Sequence, residues 1–181
     1  GTAAVAYRYR ILHRVAVNPK TDDVAFVQSK TNRLWIANPN DLNAPATNII
    51  QGLVTEASSL CYDSNGNLFV FGYNSAEGKA IIYKKEAGSA DFNQFVEIDP
   101  WEYENERNSM ASDGRGGLWI VSKFAGNTND YGNFFHINQG GDLDYHIKIT
   151  ESQNIVLPTH SNLPDGMPTN FYRGQLAYDA Q

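Results

Sequence analysis

The chain has 181 residues and a formal net charge of −6, with 41% hydrophobic, 12% aromatic and 19% charged residues. This acidic balance argues against a partner that presents a phosphate backbone, and no apolar run reaches the roughly 18 residues that a membrane-spanning helix needs. Clusters of Gly, Asn, Asp, Ser and Thr separate short apolar runs throughout, which is typical of many short strands joined by tight turns.

A pattern of two apolar strands around a polar turn recurs along the chain. The copies occupy residues 15–27, 60–71 and 110–121, and their turns begin at Asn18, Asp63 and Asp113. Asp and Asn side chains can bond the backbone two residues further on, and Gly permits a positive φ, so each copy predicts a β-hairpin. A further copy begins at 176–179. The sole cysteine, Cys61, lies in an apolar run and is predicted to be a buried free thiol.

Two more strand candidates follow each hairpin. The third strands are predicted at Arg33–Ala37, Lys79–Tyr83 and Asn133–Ile137, and the fourth at Thr47–Ile50, Gln94–Ile98 and Tyr145–Ile149. Four antiparallel strands, repeated about every 40–50 residues, predict an all-β chain of the β-propeller class.

The whole chain, 1–181, is therefore interpreted as a single propeller segment. It is divided into about three four-stranded blades (14–52, 57–99 and 108–150), an inserted loop (151–173), the start of a next blade (174–181) and one flanking strand at each end (3–11 and 176–178). Three blades do not close a propeller, so we expect either a fragment of a larger one or a chain that completes itself by association. A compressed four-bladed ring is the alternative.

The hairpin turns resemble a known repeat. Residues 63–70 (Asp-Ser-Asn-Gly-Asn-Leu-Phe-Val) and 113–120 (Asp-Gly-Arg-Gly-Gly-Leu-Trp-Ile) resemble the Asp–x–x–Gly–x–Leu–Trp–Ile core of the two-component regulator propeller repeats. Residues 161–170 are similar to the Gly-Leu-Pro…Asn phrase that precedes a repeat in that family. The first copy departs from it with Asn18-Pro19 in place of Asp, and the Gly-Thr that usually follows Trp-Ile is absent. Related six- to eight-bladed bacterial propellers, the streptogramin-lyase-like group among them, share the hairpin.

The resemblance implies a periplasmic sensor propeller of Bacteroidetes, or a related extracellular or cell-surface protein of bacteria. In propellers of this kind, ligands meet the face built by the loops between blades and between second and third strands. Binding residues concentrate on loops of a rigid scaffold. The candidate ligand-binding residues are Trp101, Tyr103, Arg107, Tyr131, His160, Tyr172 and Arg173.

Trp101 and Tyr103 are the most suggestive pair, because aromatic rings beside carboxylates suit a sugar ring. The alternative for Trp101 is a lid packed over a blade edge. We expect a carbohydrate or protein ligand and no cofactor.

The remaining polar residues indicate no catalyst. The four histidines lack metal-ligand spacing. His136 and His146 lie on neighbouring predicted strands and could face each other, but they are predicted to be ordinary strand-surface residues instead. The turn at 63–67 is predicted to be a plain turn rather than a Ca²⁺ loop, and Asp142 and Asp144 are predicted to be solvated.

The sequence thus favours a non-catalytic ligand-binding or protein-interaction segment, without a metal. One alternative is a streptogramin-lyase-like, metal-dependent enzyme that uses His160. Another is a structural propeller component of a secretion or adhesion system.

Overall fold

The computed structural model describes residues 15–28, 33–41, 47–48, 56–74, 78–98, 108–122 and 130–150. These residues form strands and turns. The strands are β1 (Val15–Val17), β2 (Val24–Gln28), β3 (Arg33–Ala37), β4 (Thr47–Asn48), β5 (Glu56–Tyr62), β6 (Leu68–Asn74), β7 (Lys79–Lys85), β8 (Phe92–Ile98), β9 (Asn108–Ser112), β10 (Leu118–Ser122), β11 (Asp130–Ile137) and β12 (Leu143–Thr150). Within these ranges, no helix is long and apolar enough to cross a membrane.

The strands form three antiparallel four-stranded sheets in chain order. We call β1–β4 the first sheet, β5–β8 the second and β9–β12 the third. Neighbouring strands pair by simple up-and-down connections, so each sheet is built from a contiguous stretch of sequence. The innermost strand of the second sheet, β5, contacts both β1 and β9. This is the arrangement of consecutive β-propeller blades around an axis.

Two apolar layers hold the three sheets together. Between the first and second sheets lie Ala25, Val27, Leu34, Leu60, Leu68 and Val70, and between the second and third lie Cys61, Phe69, Phe71, Ala80, Ile82, Ile98, Met110, Leu118, Ile120, Phe135 and Ile137. Successive residues of β6 alternate between these layers, because side chains on a strand point to opposite faces. The apolar run of Leu68, Phe69, Val70 and Phe71 is therefore explained by a sheet covered on both sides.

The recurring polar turns are closed by their first side chain. Asp63 Oδ1 accepts hydrogen bonds from the backbone N–H groups of Asn65 and Asn67, both at 2.9 Å, and the Asp63 N–H donates to the Asn67 carbonyl. Gly66 has φ +86°, a left-handed conformation that strains other residues, and a Cβ on it would lie 3.0 Å from Oδ1 of Asn18 in the first sheet. The glycine in this turn therefore also allows the first and second sheets to approach each other closely.

The predicted fold class is confirmed: the described chain is all-β, and its sheets have the four strands expected of each unit. Cys61 is a buried free thiol, as predicted. Burial raises its thiol pKa, and the nearby Asp63 charge raises it further. The blade limits stay predictions. The flanking strands at 3–11 and 176–178, the inserted loop at 151–173 and the next blade at 174–181 lie outside the described residues.

Candidate functional site

The two ends of the sheets differ in how the chain connects the strands. At one end, which we call the short-turn face, tight turns beginning at Asn18, Asp63, Asp113 and Asn138 close four of the hairpins. At the other end, the long-connection face, strands are joined through residues 29–32, 49–55, 75–78, 99–107 and 123–129. The up-and-down order places the C-terminal end of every second strand, and the start of the strand after it, at the long-connection face.

Two strands begin at the long-connection face with a β-bulge. In β5 the pairing with β6 shifts between Ala57 and Ser59, and in β11 the pairing with β12 shifts between Asp130 and Gly132. Tyr131 is thus the extra residue of the second bulge. Bulges bend a strand and re-aim its side chains, and they are over-represented beside functional sites.

Buried polar side chains lie where the innermost strands reach the same face. Ser59 on β5 and Asn108 and Ser109 on β9 are all buried, and β5 contacts β9 directly. Among the described residues, the Ser59 hydroxyl has no hydrogen-bond partner. A buried hydroxyl without a hydrogen-bond partner costs roughly 1–3 kcal/mol of folding stability. Such hydroxyls are therefore unusual away from a functional or hydrated position.

The structure describes little of the predicted site. Tyr131 lies on β11 at its bulge. Trp101, Tyr103 and Arg107 belong to the segment that joins β8 to β9, and His160, Tyr172 and Arg173 follow β12; these six residues lie outside the described ranges. Their assignment to a ligand site stays a prediction.

A polar cluster that the sequence did not indicate lies near the short-turn face. The His136 ring on β11 is held between two carboxylates: Nε2 is 3.0 Å from Asp113 Oδ2, and Nδ1 is 2.5 Å from Asp144 Oδ1. The bulge in β12 opposite His136 and Ile137 makes Asp144 an extra residue that can turn to the His136 side of the sheet. The prediction that His136 is an ordinary surface residue was therefore wrong, whereas Asp144 is exposed to solvent, as predicted, while it also contacts His136.

His136 and His146 do not face each other. His136 is paired with Tyr145, whereas His146 is paired with Phe135 and contacts its ring edge at 6.3 Å between ring centroids. Phe135 belongs to the layer between the second and third sheets, so the two histidines lie on opposite faces of the third sheet. A signal for the His136 cluster existed in the repeat, because the equivalent positions carry Ile36 and Lys84 and only the third copy has a residue that can bridge two acceptors.

Aromatic rings surround the same histidine. Trp119 stacks on Phe134 with 5.0 Å between centroids, and its centroid lies 4.4 Å from that of the His136 ring. Tyr145 approaches Trp119 edge-on at 5.9 Å, and burial raises the Tyr145 pKa. With both ring nitrogens engaged by carboxylates, His136 has no lone pair directed at solvent and is unsuited to act as a general base.

In the described part of the chain, no group of three His, Cys, Asp or Glu residues is placed to hold a metal ion. The turn at 63–67, predicted to be a plain turn, has that form: Asp63 Oδ2 accepts a hydrogen bond from Asn67 Nδ2 at 2.8 Å.

Comparison with known proteins supports the fold. No protein-family model matches this chain, and no curated protein matches it. Among solved structures, the chain is similar to the crystal structure of a nidogen/laminin complex, with a TM-score of 0.54 and 12% sequence identity over 75% of this chain and 47% of that one. At this identity the likeness shows the fold alone, which is that of a β-propeller. The chain spans less than half the length of this structural neighbour.

Proposed function

We propose that this chain is a non-catalytic segment of a bacterial β-propeller that binds an extracellular ligand at its long-connection face. The contrast between the two faces carries the proposal. Four tight turns satisfied by their own Asx side chains lie at the short-turn face, whereas the long-connection face has a bulge at Ser58 beside the buried Ser59 and a second bulge at Tyr131. The predicted ligand residues Trp101, Tyr103 and Arg107 belong to a segment that starts and ends at this face.

The ligand class follows from the residue types. Trp101 and Tyr103, with Glu102 and Glu104 between and beside them, suit a sugar ring that stacks on an aromatic face and hydrogen-bonds to carboxylates. A protein ligand has separate support, because the similar solved structure is a complex of nidogen with laminin. A periplasmic or cell-surface position, and a sensor role like that of the two-component regulator propellers, belong to the same proposal.

The glycan ligand is tested by affinity electrophoresis of the chain in gels that contain xylan, mannan, dextran or a soluble chitin derivative. We expect one of these polysaccharides to retard the chain, and W101A and Y103A each to weaken that retardation about two- to tenfold, since aromatic stacking contributes roughly 0.5–1.5 kcal/mol beyond the area it buries. L143A, an exposed substitution on β12, serves as the control. Retardation that both aromatic variants retain would remove Trp101 and Tyr103 from the site.

We also propose that the chain completes its propeller with further sheets, from a longer polypeptide or from another copy. Val15 on β1 is 61% exposed, whereas the residues that take its place in the second and third sheets, Leu60 and Met110, are 2% and 1% exposed. Val17 is exposed as well. Adjacent apolar side chains left open on a sheet face favour association with a matching face.

Light scattering over a concentration series tests self-association. If copies pair through this face, the mass rises with concentration, and V15E/V17E keeps the chain monomeric because the substitutions place charges in the contact. L143E provides a matched charge on an exposed residue elsewhere. A monomer at all concentrations would contradict pairing of copies through this face and would leave a longer polypeptide or the four-bladed ring as the ways to cover it.

A further inference from the structure

The His136 bridge has a consequence separate from ligand binding. The imidazole ring lies between Asp113 of the β9–β10 turn and Asp144 of β12, with one ring nitrogen facing each carboxylate. The His136 side chain is 14% exposed and that of Asp113 is 11% exposed, while Asp144 reaches solvent. The contacts therefore join three parts of the third sheet through one side chain.

The two carboxylates limit which atoms can form hydrogen bonds with the His136 ring. Asp113 Oδ1 is occupied by the backbone N–H groups of Arg115 and Gly117, at 2.7 and 2.8 Å, so Oδ2 is the oxygen turned to His136. An ionised carboxylate only accepts hydrogen bonds, and a neutral imidazole has a single N–H. Neutral His136 could donate to one carboxylate only, and its other nitrogen would direct a lone pair at the second.

We propose that His136 acts as a protonation-dependent clamp of the third sheet, which tightens in acid and loosens as the pH rises. In the imidazolium form both N–H groups donate to carboxylates, and charge-assisted hydrogen bonds are the stronger kind. Loss of the proton removes one donor and the cation together. Histidine is the side chain whose charge ordinarily changes between about pH 5 and 8, and this sets the range of the test.

Other charged and aromatic groups lie on the elements around the ring. Within the described chain, Asp142 lies in the β11–β12 turn and Arg115 is exposed in the β9–β10 turn, while the two bridged carboxylates contact the ring directly. From β10, the Trp119 ring lies 4.4 Å from the His136 ring and offers a cation–π contact. From β12, Tyr145 is kept in its neutral form because burial raises its pKa.

The clamp is particular to the third sheet. In the second sheet the equivalent residue, Lys84, pairs with Glu86 at 3.2 Å and lies over the Phe69 ring. In the first sheet the equivalent Ile36 packs against the apolar layer. A lysine keeps its charge over the whole histidine range, so at these equivalent positions of the three described sheets only His136 can form a bridge that changes with pH there.

Thermal unfolding between about pH 5.5 and about pH 8.5 tests the clamp. We expect the Tm of the wild-type chain to fall with rising pH, and to fall by about 3 °C less in H136Q, since glutamine cannot donate to two carboxylates and does not titrate. H146Q is the matched control: it removes a histidine from the opposite face of the same sheet and should retain the wild-type dependence on pH.

Two further measurements, on the D144N variant and by NMR, test the clamp even if the H136Q variant does not fold. D144N changes a largely exposed carboxylate and should reduce the pH dependence, because the amide carries no charge to hold the imidazolium. Long-range proton–nitrogen NMR spectra of the histidine rings should show both His136 nitrogens protonated at about pH 6. A neutral tautomer there, or an unchanged pH dependence of Tm in both H136Q and D144N, would overturn the clamp.

Discussion

The second sheet and the first sheet are copies of one sequence pattern in different surroundings. Leu60 and Val70 of the second sheet are buried against the first, whereas Val15 and Phe26, which take the same places in the first sheet, remain exposed or partly exposed. Both copies use apolar residues at these positions. The repeat places apolar residues on both faces of every sheet. A neighbouring sheet, and not the strand's own sequence, therefore decides which face is buried.

The largest expected effect on stability compares Leu60, in the closed apolar layer, with Val15, on the open face. Leu60→Ala should lower the free energy of unfolding by about 2–5 kcal/mol, because it leaves a cavity in a closed apolar layer. Val15→Ala, at the equivalent place on the open face, should cost about 0.5 kcal/mol or less. Urea denaturation of both variants measures the difference. A cost at Val15 that approaches the cost at Leu60 would show that the open face is covered in solution.

The next largest expected effect on stability compares the β5–β6 turn of the second sheet with the β9–β10 turn of the third. A Cβ on Gly117 would lie 2.5 Å from both Asp113 Oδ2 and the Ile137 carbonyl oxygen, while the equivalent residue of the second sheet is Asn67, whose side chain binds Asp63. Gly117→Ala should therefore destabilise the chain by about 1–3 kcal/mol through steric strain.

Asn67→Ala is the counterpart of that change in the second sheet. It creates no clash and should cost about 1 kcal/mol through lost hydrogen bonds. Urea denaturation compares the two variants, and a Gly117→Ala protein as stable as the wild type would contradict the packing described for the β9–β10 turn.

The smallest effect concerns Tyr62, which lies at the contact between the first and second sheets. Burial, and then the charge of Asp23, raise the pKa of Tyr62 to about 12. An unfolded tyrosine titrates near 10, so the folded chain holds this proton more tightly. The stabilisation is complete below about pH 10 and is lost as the pH rises from about 10 through about 12.

Tyr62→Phe should flatten this part of the curve of unfolding free energy against pH, with the variant resembling the wild type at neutral pH. Urea denaturation at several alkaline pH values measures it. Val17 takes the place of Tyr62 in the first sheet and carries no titratable group, so the first sheet has no comparable pH-dependent contribution at this position. Identical alkaline curves for wild type and variant would mean that Tyr62 is not buried against the first sheet.

Much of the fold could be predicted from the repeat. The Asx residue and the apolar strands on both sides of it located the hairpins at Asp63 and Asp113, and the third and fourth strands followed within a few residues of their observed limits. β11 begins earlier than predicted, at Asp130, because a bulge at Tyr131 extends its pairing with β12. A bulge leaves no clear mark in the alternation of apolar residues, so it could not be read from the pattern.

Less of the candidate site than of the fold could be predicted from the sequence. Tyr131 was named for its residue type and its loop, and only the backbone pairing showed that it lies in a bulge. The His136 cluster joins residues from a turn and two strands, and its second carboxylate, Asp144, depends on another bulge. Spacing along the chain cannot indicate such a contact when register shifts decide which residues meet.

The sequence by itself determined that this chain would form repeated antiparallel hairpins with Asx-closed turns, because those choices depend on residues a few positions apart. It also determined that Cys61 would be buried, since an apolar strand surrounds it. Only the tertiary structure decided which of two apolar faces is covered on each sheet, and that the His136 ring meets Asp113. Both outcomes depend on neighbours 20 or more residues away, whose positions are set by packing between sheets and by bulges within them.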